Sequence, residues 1–288
     1  MSSRCRNDLR PGALAAFAAC AALAPAAAPG ATALRVCADP NNLPFSDAGG
    51  HGFENALAEL VAGALGLDGV RYTWLPQRRG FVRNTLGAGK CDVIMGVPAD
   101  DERAATTAPY YRSTYVFVYR EDAGIGVKSM DDPRLKSLKI GVHAVGDDYS
   151  STPAAAALAR RGIVDNLIGF SIYGDYGRPH PPSRLIEAVA AGEIDIAIAW
   201  GPLAGYFAPR QSVPLAVVPV SPPMDGDAIP FVFDIAMATR HDDDELNAAL
   251  DRVIDERAAD IRALLVRYGV PLVERAPQAG GGKSDGGR

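Results

Sequence analysis

The stretch LRVCADPNNLPF, residues 34–45, and the stretch HGFENALAELVAGALG, residues 51–66, decide the fold class of this chain. The first five residues predict a short strand, which stops at the turn-forming DPNN of residues 39–42. In the second stretch apolar residues recur at helical spacing from Phe53 onward, and Gly66 is a suitable stop. A strand that leads through a turn into an amphipathic helix is the building unit of α/β folds.

Strand and helix signals alternate along the rest of the chain. Further strands are predicted at residues 70–74, 91–97, 115–119, 138–143, 169–173, 194–200, 213–220 and 231–239. Further helices are predicted at residues 81–88, 153–161, 183–191 and 243–268. This alternation indicates an α/β architecture with mostly parallel sheets.

Two sheets fit this number of strands better than one, because a single sheet would need about ten strands. The irregular segments 121–137 and 221–230 indicate that the chain crosses between two lobes twice. We therefore predict a two-lobed clamshell with two hinge crossings. Its lobes are predicted to be residues 34–119 with 231–275, and residues 120–230. Ligands of α/β sheets bind beyond the carboxyl ends of the strands. The candidate cleft residues are therefore the segments that follow strands, 39–45 with Asp39 at its start, 96–103, 143–149, 173–176 and 200–206.

Both ends of the chain differ from the middle. Residues 1–33 have a basic start, an apolar run and small residues before Ala33, which is the layout of a secretory signal peptide. We predict cleavage after Ala33, with an earlier cut near Ala28 as an alternative and only a weak lipoprotein-like context at Cys20. Export would place the protein in the oxidising periplasm. The Gly-rich residues 276–288 are predicted to be a disordered tail.

Composition excludes several classes of function. The chain has 288 residues, 48% of them hydrophobic, and a formal net charge of −5, which is globular and a poor match for nucleic acid. It holds no uninterrupted run of the about 20 apolar residues that a membrane span needs. Its four histidines lack metal-ligand spacing, and there is no G-x-S-x-G elbow or C-x-x-C-H haem site. The sequence therefore predicts no cofactor, no metal and no enzyme.

Several strings carry a resemblance to a known family. Residues 34–45, 52–54, 91–96, 102–104 and 109–111 resemble the type II periplasmic solute-binding family, in its amino-acid-receptor branch, and the likeness spans residues 34–275. Longer strings resemble a narrower subfamily, the quinoprotein-dehydrogenase-associated MxaJ/XoxJ type. They are PQRRGFVRN (76–84), GDD (146–148), ARRGIVDN (159–166), YGDY (173–176) and WGPLAGY (200–206). Members of that subfamily accompany periplasmic, PQQ-dependent methanol dehydrogenases and their c-type cytochromes.

The resemblance also implies how a ligand site would be built. In the amino-acid receptors an arginine at the position of Arg103 holds the ligand carboxylate; the alternative for Arg103 is an ion pair with a neighbour such as Asp101. Trp200 stands where those receptors place an aspartate for the ligand ammonium. Asp147 and Asp148 stand where a small hydroxyl residue would receive an anion, and they would repel a carboxylate. Ordinary amino-acid binding is therefore not expected.

Aromatic residues gather where the predicted cleft lies, either as an aromatic mouth for a ligand or protein segment or as hinge packing. They are Tyr110, Tyr111, Tyr149, Tyr173, Tyr176, Trp200 and Tyr206. A functional role is favoured for Trp200 and Tyr176. The candidate cleft set is Arg103, Trp200, Tyr176, Tyr149, Asp147, Asp148, Tyr110 and Asp39.

Cys37 and Cys91 remain after removal of the predicted signal peptide. They lie on strands that neighbour each other in this fold, within the reach of a disulfide. Cys37 is late in its strand and Cys91 begins the next, so an offset that leaves both thiols free is the alternative.

Three hypotheses for function follow. The resemblance implies a non-enzymatic partner protein that binds and assists a PQQ-dependent methanol dehydrogenase, with its c-type cytochrome as a further candidate partner. The second is a solute receptor of the ABC type for a non-amino-acid ligand, such as PQQ or a metal carrier. The third is a small-molecule lyase on the same fold, which lacks an identifiable acid/base pair.

Overall fold

The computed structural model describes residues 33–145, 150–171 and 177–274, and strands and helices alternate along them in an α/β fold. The strands are β1 Leu34–Ala38, β2 Asn41–Asn42, β3 Ser46–Asp47, β4 Val70–Trp74, β5 Ile94–Pro98, β6 Ala105–Thr106, β7 Tyr111–Arg120, β8 Ile140–Val145, β9 Ser150–Ser151, β10 Leu167–Ser171, β11 Ile196–Trp200, β12 Leu215–Pro219, β13 Met224–Asp225, β14 Ile229–Pro230 and β15 Val232–Thr239. The helices are α1 Phe53–Ala64, α2 Phe81–Asn84, α3 Pro153–Arg160, α4 Arg184–Ala190, α5 Gly201–Phe207, α6 Asp244–Glu256 and α7 Ala258–Arg267, with short 3-10 turns at Glu121–Ala123, Pro133–Lys136, Pro181–Ser183 and Ala208–Arg210.

The first strands form a small parallel layer. β1 pairs with β4 in parallel, and Val36 bridges to Val93 just before β5. α1 packs over this layer because Phe53, Leu57 and Val61 recur every four residues and are fully buried. The turn after β1 therefore brings the chain back over the carboxyl end of the strand and into the start of α1.

β7 joins the two sheets that the sequence predicts into one hydrogen-bonded path. Its residues up to Thr114 pair with β15, and its residues from Tyr115 onward pair with β11 and β12. The returning chain lies beside it, since Tyr115 N–H donates to the Phe231 carbonyl at 2.8 Å. The strand that pairs with β7 changes between Thr114 and Tyr115, which falls inside the range 34–119 predicted for lobe 1. The lobe boundaries stay a prediction.

β11 is buried on both faces. It runs parallel to β8 and antiparallel to β7. Ile196 and Ile198 belong to one hydrophobic cluster, and Ala197 and Ala199 belong to another on the opposite face. A strand covered on both sides reads as a continuous apolar run without alternation, which is how it appears in the sequence.

The single helix predicted over residues 243–268 is wrong. The structure has two helices, α6 and α7, separated by Arg257, whose φ of −109° and ψ of 18° are not helical. The apolar stripe of Leu250, Ile254, Ile261 and Leu265 continues across the break, so hydrophobic periodicity could not reveal it. The sequence also overextended α2 and missed α5, which begins directly at the end of β11.

Cys37 and Cys91 form a disulfide with a Cα–Cα distance of 5.6 Å. The offset considered from the sequence does not arise, because Cys91 precedes β5 and lies beside β1. Cys37 N–H donates to the Val93 carbonyl at 3.0 Å, which fixes this register. Both cysteines are buried with Phe81 and Leu86.

Gly205 marks a close approach between α5 and the turn after α7. A Cβ at Gly205 would lie 1.9 Å from the Gly269 carbonyl oxygen, which is backbone and cannot move aside. Gly269 itself has a φ of +74°, which favours glycine. Across the described residues, every helix falls short of the length and apolar character of a membrane span.

Candidate binding cleft

A cavity of about 370 Å³ opens at the carboxyl ends of the strands, where the sequence predicts a cleft. We call it the cleft cavity. Its lining comes from β2 and the loop after it, the start of α1, the loop after β4, β5, β7, β8, the start of α3, the end of β11, α5 and β15. The lining residues are Asn42, Phe45, Glu54, Gln77, Gly96, Val97, Pro98, Tyr111, Tyr115, His143, Thr152, Pro153, Trp200, Leu203, Phe233 and Ile235.

Three aromatic rings form one wall of the cleft cavity. The ring centroids of Tyr115 and Trp200 are 5.4 Å apart, and those of Trp200 and Phe233 are 5.8 Å apart with an interplanar angle of 75°. Tyr115 and Phe233 close the triangle at 6.3 Å. The two pairs that include Phe233 are edge-to-face, an arrangement that aromatic pairs favour, and the Tyr115–Trp200 pair is tilted at 59°. Trp200, predicted from the sequence, therefore lies in the cavity wall and is fixed by two neighbouring rings.

Glu54 is a buried acid in this apolar lining. It lies in the first turn of α1 and is 8% exposed. Among the described residues no group forms a hydrogen bond with its carboxyl. Burial raises the pKa of Glu54 to about 8, so the carboxyl is mostly protonated at neutral pH. Gly96 faces it, and a Cβ at Gly96 would lie 2.2 Å from Glu54 Oε1, so a glycine leaves room for the acid.

The groups around Glu54 are tyrosine hydroxyls. Burial raises the pKa of Tyr110 and Tyr111 well above 10, and the charge of an ionised Glu54 would raise both further. Burial is also the main cause of the raised pKa of Tyr72, with Glu54 a minor one. Neither lysine nor arginine is among the residues that line the cleft cavity. An ionised Glu54 would therefore have no cation beside it from the described protein.

Two more buried acceptors lie in the cavity lining. Burial lowers the pKa of His143 to about 4, opposed by a hydrogen bond to the backbone of Pro182, whose only polar group is its carbonyl. Nε2 of His143 is buried without a partner. Asn42 donates from Nδ2 to Gln77 Oε1 at 3.1 Å, and its own Oδ1 is buried without a partner.

Arg103 lies outside the cleft cavity. Its guanidinium donates to both carboxylate oxygens of Asp101 at 2.7 and 2.6 Å, and its side chain is 67% exposed. This pair lowers the pKa of Asp101, chiefly through the hydrogen bonds from Arg103. Of the two alternatives drawn from the sequence, the structure shows the ion pair. A role of Arg103 in binding stays a prediction.

Asp39 and Tyr110 form hydrogen bonds to the backbone of neighbouring segments. The Asp39 carboxylate accepts hydrogen bonds from the backbone N–H of Asn41 at 2.8 Å and of Gln77 at 2.7 Å, which holds two loops together. Tyr110 donates from its hydroxyl to the Met95 carbonyl at 2.8 Å. Neither side chain lines the cleft cavity.

The other predicted aromatic residues divide into two groups. Tyr111 lines the cleft cavity, whereas Tyr206 stacks on Tyr268 with an interplanar angle of 16° and lies under the Arg210 guanidinium. The remaining sequence predictions lie outside the described residues. They are Asp147, Asp148, Tyr149, Tyr173 and Tyr176.

Sequence reasoning missed Glu54, whereas Asn42 and His143 lie within the predicted cleft segments 39–45 and 143–149 and line the cleft cavity. The signal for Glu54 was its place between Phe53 and Leu57, the start of the buried stripe of α1. Periodicity alone puts residue 54 at the edge of that stripe, and only the packing of Gly96 against it shows that the acid is enclosed. Within residues 33–145, 150–171 and 177–274, no group of three or more His, Cys, Asp or Glu side chains could hold a metal ion.

An α/β fold with strands shared between two sheets and a cavity at the strand ends has the architecture of a periplasmic binding protein. The chain belongs to the bacterial extracellular solute-binding proteins, family 3, whose pattern it matches over residues 34–270. It is 35% identical over 261 residues to the protein MoxJ of Methylorubrum extorquens, an alignment that covers 87% of this chain and 85% of that protein.

Two solved structures are similar over the same region. MxaJ from Methlophaga aminisulfidivorans MPT is 30% identical with a TM-score of 0.72, covering 83% of this chain and 100% of that one. The periplasmic binding protein XoxJ from Methylobacterium extorquens AM1 is 37% identical with a TM-score of 0.68, covering 84% of this chain and 100% of that one. The predicted fold class and the resemblance to the MxaJ/XoxJ type are confirmed.

Proposed function

We propose that the protein is an exported, non-enzymatic relative of the solute receptors that binds a PQQ-dependent methanol dehydrogenase and assists its maturation or activation. The likeness to MoxJ, MxaJ and XoxJ over most of the chain supports this proposal. The family of extracellular solute-binding proteins and the signal-like residues 1–33 support a periplasmic location.

One observation of the site carries the argument against an ordinary amino-acid receptor. The described lining of the cleft cavity holds no arginine or lysine, and Arg103 is engaged by Asp101 outside it. A carboxylate in an apolar cavity without a cation loses its hydration and gains no partner. The cavity therefore fits the recognition of something other than a free amino acid, which favours a partner module.

The same observation bears on the alternative of a PQQ carrier. PQQ carries several carboxylates, and each would need a cation or a set of donors. The segments 146–149 and 172–176 contain no lysine or arginine either. A receptor for an anionic ligand is therefore the weaker proposal.

Purified components test the dehydrogenase interaction directly. The exported, processed protein is immobilised, and the host's purified PQQ-dependent methanol dehydrogenase is passed over it in apo and holo forms, with the c-type cytochrome as a separate analyte. We expect saturable binding of the dehydrogenase, weakened at least about tenfold by Trp200→Ala because an interfacial tryptophan is a typical hot spot. Trp74→Ala is the matched control, since Trp74 stacks on Tyr72 outside the cleft cavity.

Each outcome has a clear meaning. Binding lost in Trp200→Ala and kept in Trp74→Ala supports a contact at the cleft. Binding kept in both variants supports the partner and moves the contact elsewhere. Absence of binding to either form of the dehydrogenase refutes the proposal.

A further inference from the structure

We propose that the cleft cavity binds a small organic cation, an ammonium group without an attached carboxylate, with Glu54 as its counter-ion and the rings of Tyr115, Trp200 and Phe233 around it. This inference goes beyond the proposed function and does not depend on it. The cation can be a free amine or quaternary ammonium compound, or a basic side chain of a protein partner.

The polar groups of the lining that lack a hydrogen-bond partner are acceptors. His143 Nε2 and Asn42 Oδ1 belong to lining residues and are buried without a hydrogen-bond partner. The Glu54 carboxyl belongs to the same lining, and among the described residues burial alone shifts its pKa, with no contribution from a hydrogen bond. The ionised form of the Glu54 carboxyl, a neutral imidazole nitrogen and an amide oxygen are all acceptors. A lining that carries an acid and further acceptors, without a basic side chain, matches a ligand that brings donors or positive charge.

The walls of the cavity suit the same chemistry. Phe45, Tyr111, Tyr115, Trp200 and Phe233 all line it. Aromatic rings attract a desolvated cation through their π faces, and tryptophan does so most strongly. A volume of about 370 Å³ is enough for a small ligand. The described lining has no cation that would repel the ligand and no basic group that would hold a carboxylate attached to it.

Glu54 gives the proposal a pH signature. Its pKa of about 8 means that it must release a proton to act as a counter-ion at neutral pH. Among the described residues, the other titratable groups near Glu54 do not change state between about pH 7 and pH 9, because the pKa values of Tyr72, Tyr110 and Tyr111 lie above 10 and that of His143 near 4. The ionised fraction of Glu54 rises from about one tenth to about nine tenths over this interval, so affinity for a cation rises about tenfold.

Choline and its uncharged isostere 3,3-dimethylbutan-1-ol form a matched pair of probes, since neither the quaternary nitrogen nor the carbon that replaces it titrates. Isothermal titration calorimetry of the processed protein measures both at about pH 7 and pH 9, with Nα-acetyl-lysinamide as a third probe at the lower pH. We expect choline to bind more tightly than the isostere, to gain about tenfold in affinity at the higher pH, and to release close to one proton at the lower pH.

Glu54→Gln should remove the preference for choline, the pH dependence and the proton release together. Glu59→Gln, an exposed acid on the same helix, should change none of them. Tighter binding of choline than of Nα-acetyl-lysinamide indicates a free ligand, and the reverse indicates a basic side chain of a partner. The proposal is overturned if neither cation binds, if the isostere binds as tightly as choline, or if Glu54→Gln keeps the preference. The dehydrogenase assay decides the proposed function separately.

Discussion

Replacing Glu54 by glutamine should stabilise the protein, and the gain should grow with pH. The carboxyl has a pKa of about 8 in the folded protein and an ordinary value of 4.5 when exposed in the unfolded chain. Below pH 4.5 the carboxyl is protonated in both the folded and the unfolded protein, so it does not lower the free energy of unfolding. Above 4.5 the unfolded chain ionises first, so folding stability falls as pH rises until the folded protein ionises too, near pH 8.

The magnitude follows from the width of this window. Each pH unit between the two pKa values changes the free energy of unfolding by about 1.4 kcal/mol. At about pH 7 the buried acid therefore lowers the free energy of unfolding by about 3 kcal/mol. Glu54→Gln should restore most of this stability, because glutamine has nearly the same shape and no charge to desolvate. Between pH 6.5 and about 4, neutral His143 acts in the opposite direction, so the wild-type protein shows its clearest decline above pH 6.5.

Urea denaturation followed by tryptophan fluorescence measures this difference. The processed wild-type protein, Glu54→Gln and the exposed control Glu59→Gln are unfolded at several values between about pH 5 and pH 8. The difference between Glu54→Gln and wild type should widen by about 1.4 kcal/mol per pH unit, whereas Glu59→Gln should run parallel to wild type. A constant offset between Glu54→Gln and wild type would refute the reasoning, because it would mean that Glu54 is ionised in the folded protein throughout.

Three further predictions concern other parts of the molecule. Removing the bridge between Cys37 and Cys91, which are 54 positions apart in the sequence, should lower the free energy of unfolding by about 3–4 kcal/mol, and a urea midpoint unmoved by dithiothreitol would contradict this. Gly205→Ala should destabilise the protein by about 1–3 kcal/mol in thermal denaturation, because a carbonyl oxygen lies 1.9 Å from the new Cβ. The control Gly63→Ala, at an open position within α1, should stabilise the protein by about 0.5–1 kcal/mol, and equal shifts in the two variants would contradict the close approach at Gly205. His143→Gln should remove a contribution of about 1.4 kcal/mol per pH unit that lowers stability as pH falls below 6.5, because only the unfolded imidazole takes up a proton there. Since Glu54 opposes this contribution down to pH 4.5, wild type should be nearly flat in urea titrations between pH 6.5 and 4.5 and the variant should gain stability as pH falls; parallel curves would contradict the prediction.

Much of the fold could be predicted from the sequence because local signals and packing agree there. β1 and β4 have the predicted bounds, since each ends where turn residues or loop composition interrupt the apolar run. α1 begins at Phe53 as its stripe predicts. The break at Arg257 could not be predicted, because the apolar stripe is continuous across it and only the backbone angles change.

The candidate site was predictable only in part. Trp200 could be placed in the cleft because it ends a buried strand and takes the position of a ligand-binding acid in similar receptors. The role of Arg103 could not be decided from the sequence, since Asp101 two residues earlier competes with a ligand for the same guanidinium. Glu54 carries no motif for a counter-ion, and its chemistry depends on Gly96, which is distant in sequence.

Stability alone does not explain why Glu54 is an acid. A buried carboxyl without a partner costs about 3 kcal/mol at neutral pH, which is a large share of the about 5–15 kcal/mol that keeps a domain folded. Glutamine would fill the same space next to Gly96 without that cost. An ionisable group with a strongly shifted pKa in a cavity is a typical mark of function. The stability and binding measurements together distinguish two explanations for Glu54. If Glu54→Gln is more stable and no longer binds choline, the acid serves ligand binding. If Glu54→Gln is more stable and still binds choline, the acid has no role in binding and only lowers stability.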